Sequence, residues 1–221
     1  MATQELTPLQ KALNEKDREV FGNLESGEQS YYKAFEADLM ESDVKHHHLR
    51  EGDRMPEFSL PDHQGKLRHS SEFLDRQWLV LTFYRGAWCP YCNLQLKALQ
   101  RYLHTIEDTP ASLVAISPQK PDQSLNSMKQ NQLTFPVLSD VGNHVGRKFK
   151  IVYKIPPYLN HIYQKLGVDV EAYNGEGELY LPMAATFVIG EDGIIQMASV
   201  SAHAHQRPDP KEVVRFIVQA S

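Results

Sequence analysis

One stretch restricts the folds open to this chain more than any other. Residues 78–84 are almost all β-branched, aromatic or leucine, and Arg85, Gly86, Ala87, Trp88, Cys89, Pro90, Tyr91 and Cys92 follow directly. An apolar run of this kind suits a strand buried on both faces, and such strands belong to sheets covered by helices. Gly86 breaks the run, and beyond Pro90 the residues Leu94, Leu96 and Leu99 recur among good helix formers. Proline is tolerated in the first helical turn, because the N–H it lacks would have no partner there. The segment therefore predicts strand, turn and helix within an α/β fold, with both cysteines at the helix N-terminus.

That position has chemical consequences. Unpaired amides and the positive end of the helix dipole favour a thiolate over a thiol, and Cys89, at the very start, should gain most. Three residues of separation on a first turn bring two sulfurs close enough for a small, easily reduced ring. Cys89 and Cys92 are the only cysteines in 221 residues. The competing reading is half of a zinc site, which needs two further ligands; a second Cys-x-x-Cys is absent, though a dimer could supply the ligands. Neither a metal nor a cofactor is expected.

Composition narrows the class further. A net charge of -5 with scattered Lys and Arg excludes the basic footprint of a nucleic-acid partner. No apolar run approaches the ~18 residues of a membrane span, and Met1 to Glu5 lead into no signal-like segment. A cytoplasmic protein without a membrane partner is expected, and in that compartment a disulfide is transient and catalytic.

The stretch ending in Trp88, Cys89, Pro90, Tyr91 and Cys92 resembles the Trp-Cys-x-x-Cys of the thioredoxin fold. From about Gly52 onward the chain is most similar to the peroxiredoxin-like members of the alkyl hydroperoxide reductase and thiol-specific antioxidant family. Besides Phe83, Tyr84 and Arg85, the carriers are Gly52, Asp53, Pro56 and Phe58; residues 114–118; Phe135, Pro136 and Asp140; and residues 186–193. The resemblance implies a thioredoxin-like fold, a central mixed sheet flanked by helices. It also implies a redox enzyme that reduces hydroperoxides through a Cys89/Cys92 dithiol–disulfide cycle, supported by Arg85, Trp88 and Pro90. A thioredoxin-type or glutathione-type reductant is the implied partner. General thiol–disulfide exchange, and a non-catalytic binding protein with a Cys-x-x-Cys metal clip, are the alternatives.

Two overlays compete for the pair. In the thioredoxin pattern Cys89 is the exposed nucleophile and Cys92 the deeper, resolving sulfur. In the family's Pro-x-x-x-Thr/Ser-x-x-Cys, Cys92 attacks the peroxide, Arg85 stands where the family has Pro, and Cys89 where it has Thr or Ser. The family also carries an Arg on the strand that here starts near Ala184, which is not Arg. Peroxide cleavage requires donors aimed at the charge on the leaving oxygen, so the missing groups matter. Ala184 likewise departs from the cis-proline of the thioredoxin pattern.

The remaining chain divides into a helical extension, residues 1–50, and a thioredoxin-like domain, residues 51–221, with an insertion around 150–182. Thr7, Pro8 and Gln10 start a first helix to about Phe21, and Tyr31, Phe35 and Leu39 mark a second to about Met40. Their apolar faces must be buried, either on the domain or in a homodimer. His46, His47 and His48 suit an extended, solvated linker. Asp62 to Gly65 turns a hairpin; Asp140 can cap a helix carrying Val141, Val145 and Phe149. The insertion, rich in tyrosine, is either a lid or packing. His203 and His205 read as exposed positions at a strand end. Asp209 and Pro210 open a last helix that closes one side of the sheet.

Overall fold

The computed structural model describes residues 6–220. Residues 1–5, where the signal-like segment was sought, and Ser221 lie outside the described residues. Helix α1 (Pro8–Gly22) opens as its sequence dictates, with Thr7 Oγ1 accepting the N–H of Gln10 at 3.2 Å and Pro8 in the first turn. Helix α2 (Ser26–Glu41) starts with a capping box between Glu25 and Glu28. Its buried stripe is Tyr32, Phe35 and Leu39, whereas Tyr31 is exposed and stacks on Tyr158 at 5.5 Å. Phe35 and Leu39 lie as expected, and only the first position differs, Tyr32 in place of Tyr31, because a 3.6-residue turn lets either neighbour serve. The three histidines do not form an extended linker: Asp43 carries a short helix, α3 (Asp43–His47), across the first two.

A hairpin of β1 (Ser59–Pro61) and β2 (Leu67–His69), then α4 (Ser71–Leu74), lead into β3 (Trp78–Phe83). Two crossovers follow: α5 (Pro90–Glu107) to β4 (Ala111–Ser117), and α6 (Pro121–Asn131) to β5 (Val137–Ser139). Helix α7 (His144–Lys148) is capped by Asp140, whose carboxylate accepts the N–H groups of Val145 and Gly146. Val141 sits in the exposed turn before it rather than on the helix. The insertion folds as β6 (Val152–Lys154), α8 (Pro157–Lys165), α9 (Val170–Asn174) and β7 (Tyr180–Pro182), its two strands paired antiparallel. Strands β8 (Ala184–Gly190) and β9 (Ile195–Ser201) and helix α10 (Pro210–Ala220) complete the chain.

The main sheet has the order β5-β4-β3-β8-β9, with β3, β4 and β5 parallel and β8 and β9 antiparallel. Every residue of β3 is buried. Leu79, Leu81 and Phe83 point into one core with Phe35, Phe149 and Phe187; Trp78 and Val80 point into the other with Leu13, Leu96, Leu99 and Ile217. That division is the two-residue period of a strand covered on both sides. The two N-terminal helices thus bury their apolar faces on the same chain, α1 in the core that holds α5 and α10, and α2 in the core that holds α8 and Tyr153. The peptide before Ala184 is trans, as are the other described peptide bonds.

Candidate active site

The strand-to-helix turn places both cysteines where the sequence predicts. Cys89 is the N-cap of α5 and its sulfur accepts the N–H of Cys92 at 3.4 Å, with Pro90 in the first turn. The turn is held tightly: Ala87 donates its N–H to Gln119 Oε1 and accepts a hydrogen bond from Asn93 Nδ2, each at 2.7 Å. Gly86 is required by close approach, since a Cβ there would lie 2.5 Å from Trp88 Nε1.

Both sulfurs are fully buried. The exposed Cys89 of the thioredoxin overlay is therefore corrected: helices and loops that a bare thioredoxin pattern lacks cover it. Arg85, whose ordinary fate is solvation, is buried too and spans the pair. Its backbone N–H donates to Cys92 Sγ at 3.5 Å, its Nη2 to Cys89 Sγ at 3.2 Å and its Nη1 to the Tyr163 hydroxyl at 3.4 Å. Trp88 packs at 5.2 Å on the Tyr163 ring, and the Arg85 guanidinium lies 5.8 Å from the Trp88 ring centroid.

A second guanidinium arrives from a place the sequence did not flag. Arg207, in the loop between β9 and α10, is 8% exposed; its Nη2 donates to Cys92 Sγ at 3.6 Å, Nη1 to Gln95 Oε1 at 2.8 Å and Nε to the Ala204 carbonyl at 2.9 Å. Gln95 in turn donates to Thr186 Oγ1 at 3.2 Å, and Thr186 shares a 3.1 Å hydrogen bond with Thr82. A buried polar chain thus runs from the centre of the sheet to the Cys92 sulfur. Among the described residues neither Arg85 nor Arg207 is paired with a carboxylate. A buried cation without a counter-ion costs several kcal/mol, so two such cations favour an anion between them.

The sulfurs respond in opposite directions. Burial pushes the Cys89 thiol well up, with the Cys92 interaction adding to it and Arg85 opposing. For Cys92 burial pushes the same way, yet the hydrogen bond from Cys89, the charges of Arg207 and Arg85 and the Arg85 amide outweigh it and hold the thiol well below its usual range. The expectation that Cys89 gains most from the helix start is thus reversed: the helix field is common to both sulfurs, and the second guanidinium touches only Cys92. Burial keeps the Tyr163 hydroxyl protonated and available as a neutral acceptor for Arg85.

On the far side of Cys89 lies a cavity of about 250 Å³, walled by Val20 and Leu24 from the N-terminal extension, Ile162 and Leu166 from the insertion, and Trp88. His203 and His205 are not free strand-end residues. Each is partly buried and faces a carboxylate of the extension, Glu36 and Asp17 respectively, at 3.4 Å.

This geometry can be set beside known proteins. The AhpC/TSA family model matches residues 52–198. The chain belongs to the AhpC/TSA family. Peroxiredoxin Bcp of Escherichia coli (strain K12) is 30% identical over 103 residues, a match that spans 47% of this chain and 65% of that relative. A putative peroxiredoxin of Mycobacterium tuberculosis (strain ATCC 25618 / H37Rv) is 28% identical over 156 residues, 71% of this chain and 88% of the relative. Among solved structures, peroxidoxin BcpB from Mycobacterium tuberculosis superimposes with a TM-score of 0.63 at 22% identity, covering 79% of this chain and 99% of that one, which shows the shared fold. The AhpC/TSA match starts after α1 and α2, so two of the cavity's walls stand outside it. No arginine stands on the strand that starts at Ala184; the guanidinium that meets Cys92 is that of Arg207, in the loop that follows β9 where it returns alongside β8.

Proposed function

We propose that this AhpC/TSA protein is a thiol-dependent peroxidase in which Cys92 attacks the hydroperoxide and Cys89 resolves the product. The observation that carries this reading is the asymmetry at the sulfurs: Cys92 accepts from the Arg85 amide and from Arg207 and its thiol is held low, while Cys89 accepts from the Arg85 side chain and the Cys92 amide and its thiol is pushed up by burial. The Cys92 thiolate takes the terminal oxygen of ROOH, the O–O bond breaks, and the departing RO⁻ gains a proton and leaves as an alcohol or as water. Guanidinium groups are placed for the charge that develops on that oxygen, the part played by the family's hydroxyl and arginine. Cys92 is now a sulfenic acid. The Cys89 sulfur attacks it, hydroxide leaves with the Cys89 proton as water, and the Cys89–Cys92 disulfide forms. Two thiol equivalents restore the dithiol. Arg85 positions both sulfurs, and Trp88 and Pro90 shape the turn around them.

General disulfide exchange with folded proteins is disfavoured because neither sulfur reaches the surface. A reducing compartment suits a pair that must return to the dithiol, and no described helix is long and apolar enough to cross a membrane. Stopped-flow mixing with hydroperoxide, followed by a sulfenic-acid probe in each Cys→Ser variant, tests the reading. The adduct is expected in Cys89→Ser and absent in Cys92→Ser; the reverse pattern, or peroxide consumption no faster than by a free thiol, would overturn it.

A further inference from the structure

Both sulfurs are at 0% exposure, so the closed site admits no thiol of any size, and a reductant can meet the pair only after part of the cover moves. Beside Cys89 the cover has a void behind it. There Val20, Asn23 and Leu24 of the extension face Ile162, Leu166 and Val168 of the insertion across a cavity of about 250 Å³. A wall with a void behind it leaves fewer contacts when it moves, so it opens at lower free energy than a packed core.

Each half of this wall is closed on itself. Gln29 Nε2 donates to the Phe21 and Leu24 carbonyls at 2.9 and 3.0 Å, which ties the turn between α1 and α2 to α2. At the end of α8 the N–H groups of Leu166 and Val168 donate to the Ile162 and Tyr163 carbonyls at 3.0 and 2.9 Å. The roots are fixed as well: Asp17 of α1 accepts the Tyr91 hydroxyl, and the Tyr163 hydroxyl of α8 accepts from Arg85. Between the two tips, among the described residues, no backbone hydrogen bond crosses. What crosses is Lys165, whose ammonium meets Glu28 and, at 3.3 Å, Glu25, together with the ring pair Tyr31 and Tyr158 at 5.5 Å. The tips can therefore part without breaking any backbone pairing.

We propose that the α1–α2 turn and the end of α8 are the two leaves of a gate over Cys89, latched by Lys165 against Glu25 and Glu28. Its part in the reaction rests on the dithiol–disulfide cycle proposed above: opening brings Cys89 within reach of the reducing thiol, and closing shields the pair again. Ion pairs that are wholly or partly exposed hold weakly and are screened by salt, which suits a latch that must release.

The test reads the open fraction in the reduced protein and needs neither peroxide nor disulfide. In Cys92→Ser, where Cys89 is the one thiol, alkylation by iodoacetamide is followed by mass spectrometry. Opening is fast beside this reaction, so the rate reports the open population. Lys165→Met should raise it about threefold, and Lys165→Glu, which sets three carboxylates together, up to about tenfold. Raising the ionic strength from about 0.01 to about 1 M should speed the parent several-fold and leave Lys165→Met unmoved. The reversed pair, Lys165→Glu with Glu28→Lys, restores the attraction and should return the rate to within about twofold of the parent, which a general loosening of the fold would not do. A rate unmoved in folded Lys165→Glu, or a reversed pair as fast as Lys165→Glu alone, overturns the gate. The catalytic cycle fails separately, on the sulfenic-acid test given above, which these rates do not enter.

Discussion

The two sides of the dithiol differ as much as two regions of one molecule can. On the Cys92 side the sulfur ends a buried polar chain, Thr82, Thr186, Gln95 and Arg207, anchored in the two central strands. On the Cys89 side it meets hydrocarbon from the N-terminal extension and the insertion. The sulfurs share one helix N-terminus and one turn, so helix position alone cannot divide their tasks. The division comes from what the rest of the chain adds to the shared turn and its Arg85: a second guanidinium at Cys92, a mostly apolar cavity beside Cys89. The lesson is that the neighbouring sulfur and Arg85 act on this Cys-x-x-Cys locally, while a side chain far away in sequence, Arg207, adds its contact to Cys92 and not to Cys89.

The sharpest way to break this comparison is to exchange the roles. Cys92→Ser removes the stabilised thiolate and should lower peroxide reduction by more than about 10³-fold, because the remaining Cys89 is a buried, neutral thiol. Cys89→Ser should preserve the first turnover and then halt with Cys92 as a trapped sulfenic acid, visible by mass spectrometry. Equal first-turnover rates in both variants would erase the distinction between the two sides.

Arg207→Gln removes the group that touches Cys92 alone, and the expected loss is about 10²-fold, the scale of one donor aimed at developing charge. Its pH signature has a definite sign. Cys92 is held below the ordinary thiol range, so in the native protein the rate should fall, as acid protonates the thiolate, at a lower pH than for a free thiol. Without Arg207 the thiol moves back toward its ordinary value near about 8.5, and the rate should climb with pH between about 6 and 9. An ultraviolet thiolate titration of the reduced protein checks the same shift without substrate. A profile that is unchanged in Arg207→Gln would mean that the Cys89 hydrogen bond and Arg85, through its charge and its amide, hold the thiolate without Arg207.

Much of this was legible in the chain and some was not, for identifiable reasons. The buried strand 78–83, the proline at the start of the cysteine helix and the hairpin turn from Asp62 to Gly65 are local signals, and each lies where its residues require. Tyr31 was mistaken for Tyr32 because a helical stripe has no sharp edge. Arg207 had no local signal: it lies in an aperiodic loop, and only the pairing of β9 with β8 carries that loop back to the cysteine helix. The hint available was Gln95, a polar residue at a position where α5 faces the core. A buried glutamine needs partners, and its two are Thr186 and Arg207.

The smallest expected effect concerns how the extension steadies the polar side. Asp17 of α1 accepts the hydroxyl of Tyr91, the residue just before Cys92, at 2.9 Å, and lies 3.4 Å from His205 Nδ1, two residues before Arg207. Gln10 of the same helix donates to the His205 carbonyl at 3.1 Å, and Glu36 of α2 faces His203. Both N-terminal helices therefore grip the loop that carries Arg207 and also wall the cavity, which joins the two sides mechanically. Asp17→Asn keeps the side-chain shape and an acceptor for Tyr91 while removing the charge opposite His205. Partly exposed pairs of this kind contribute roughly 0.2–1 kcal/mol, so stability should fall by no more than that in denaturant titration. If the grip positions Arg207, the peroxide rate should fall a few-fold, and the Cys92 titration should move slightly toward the Arg207→Gln value. A stability loss with no movement of that titration would show that the extension serves the cavity side alone.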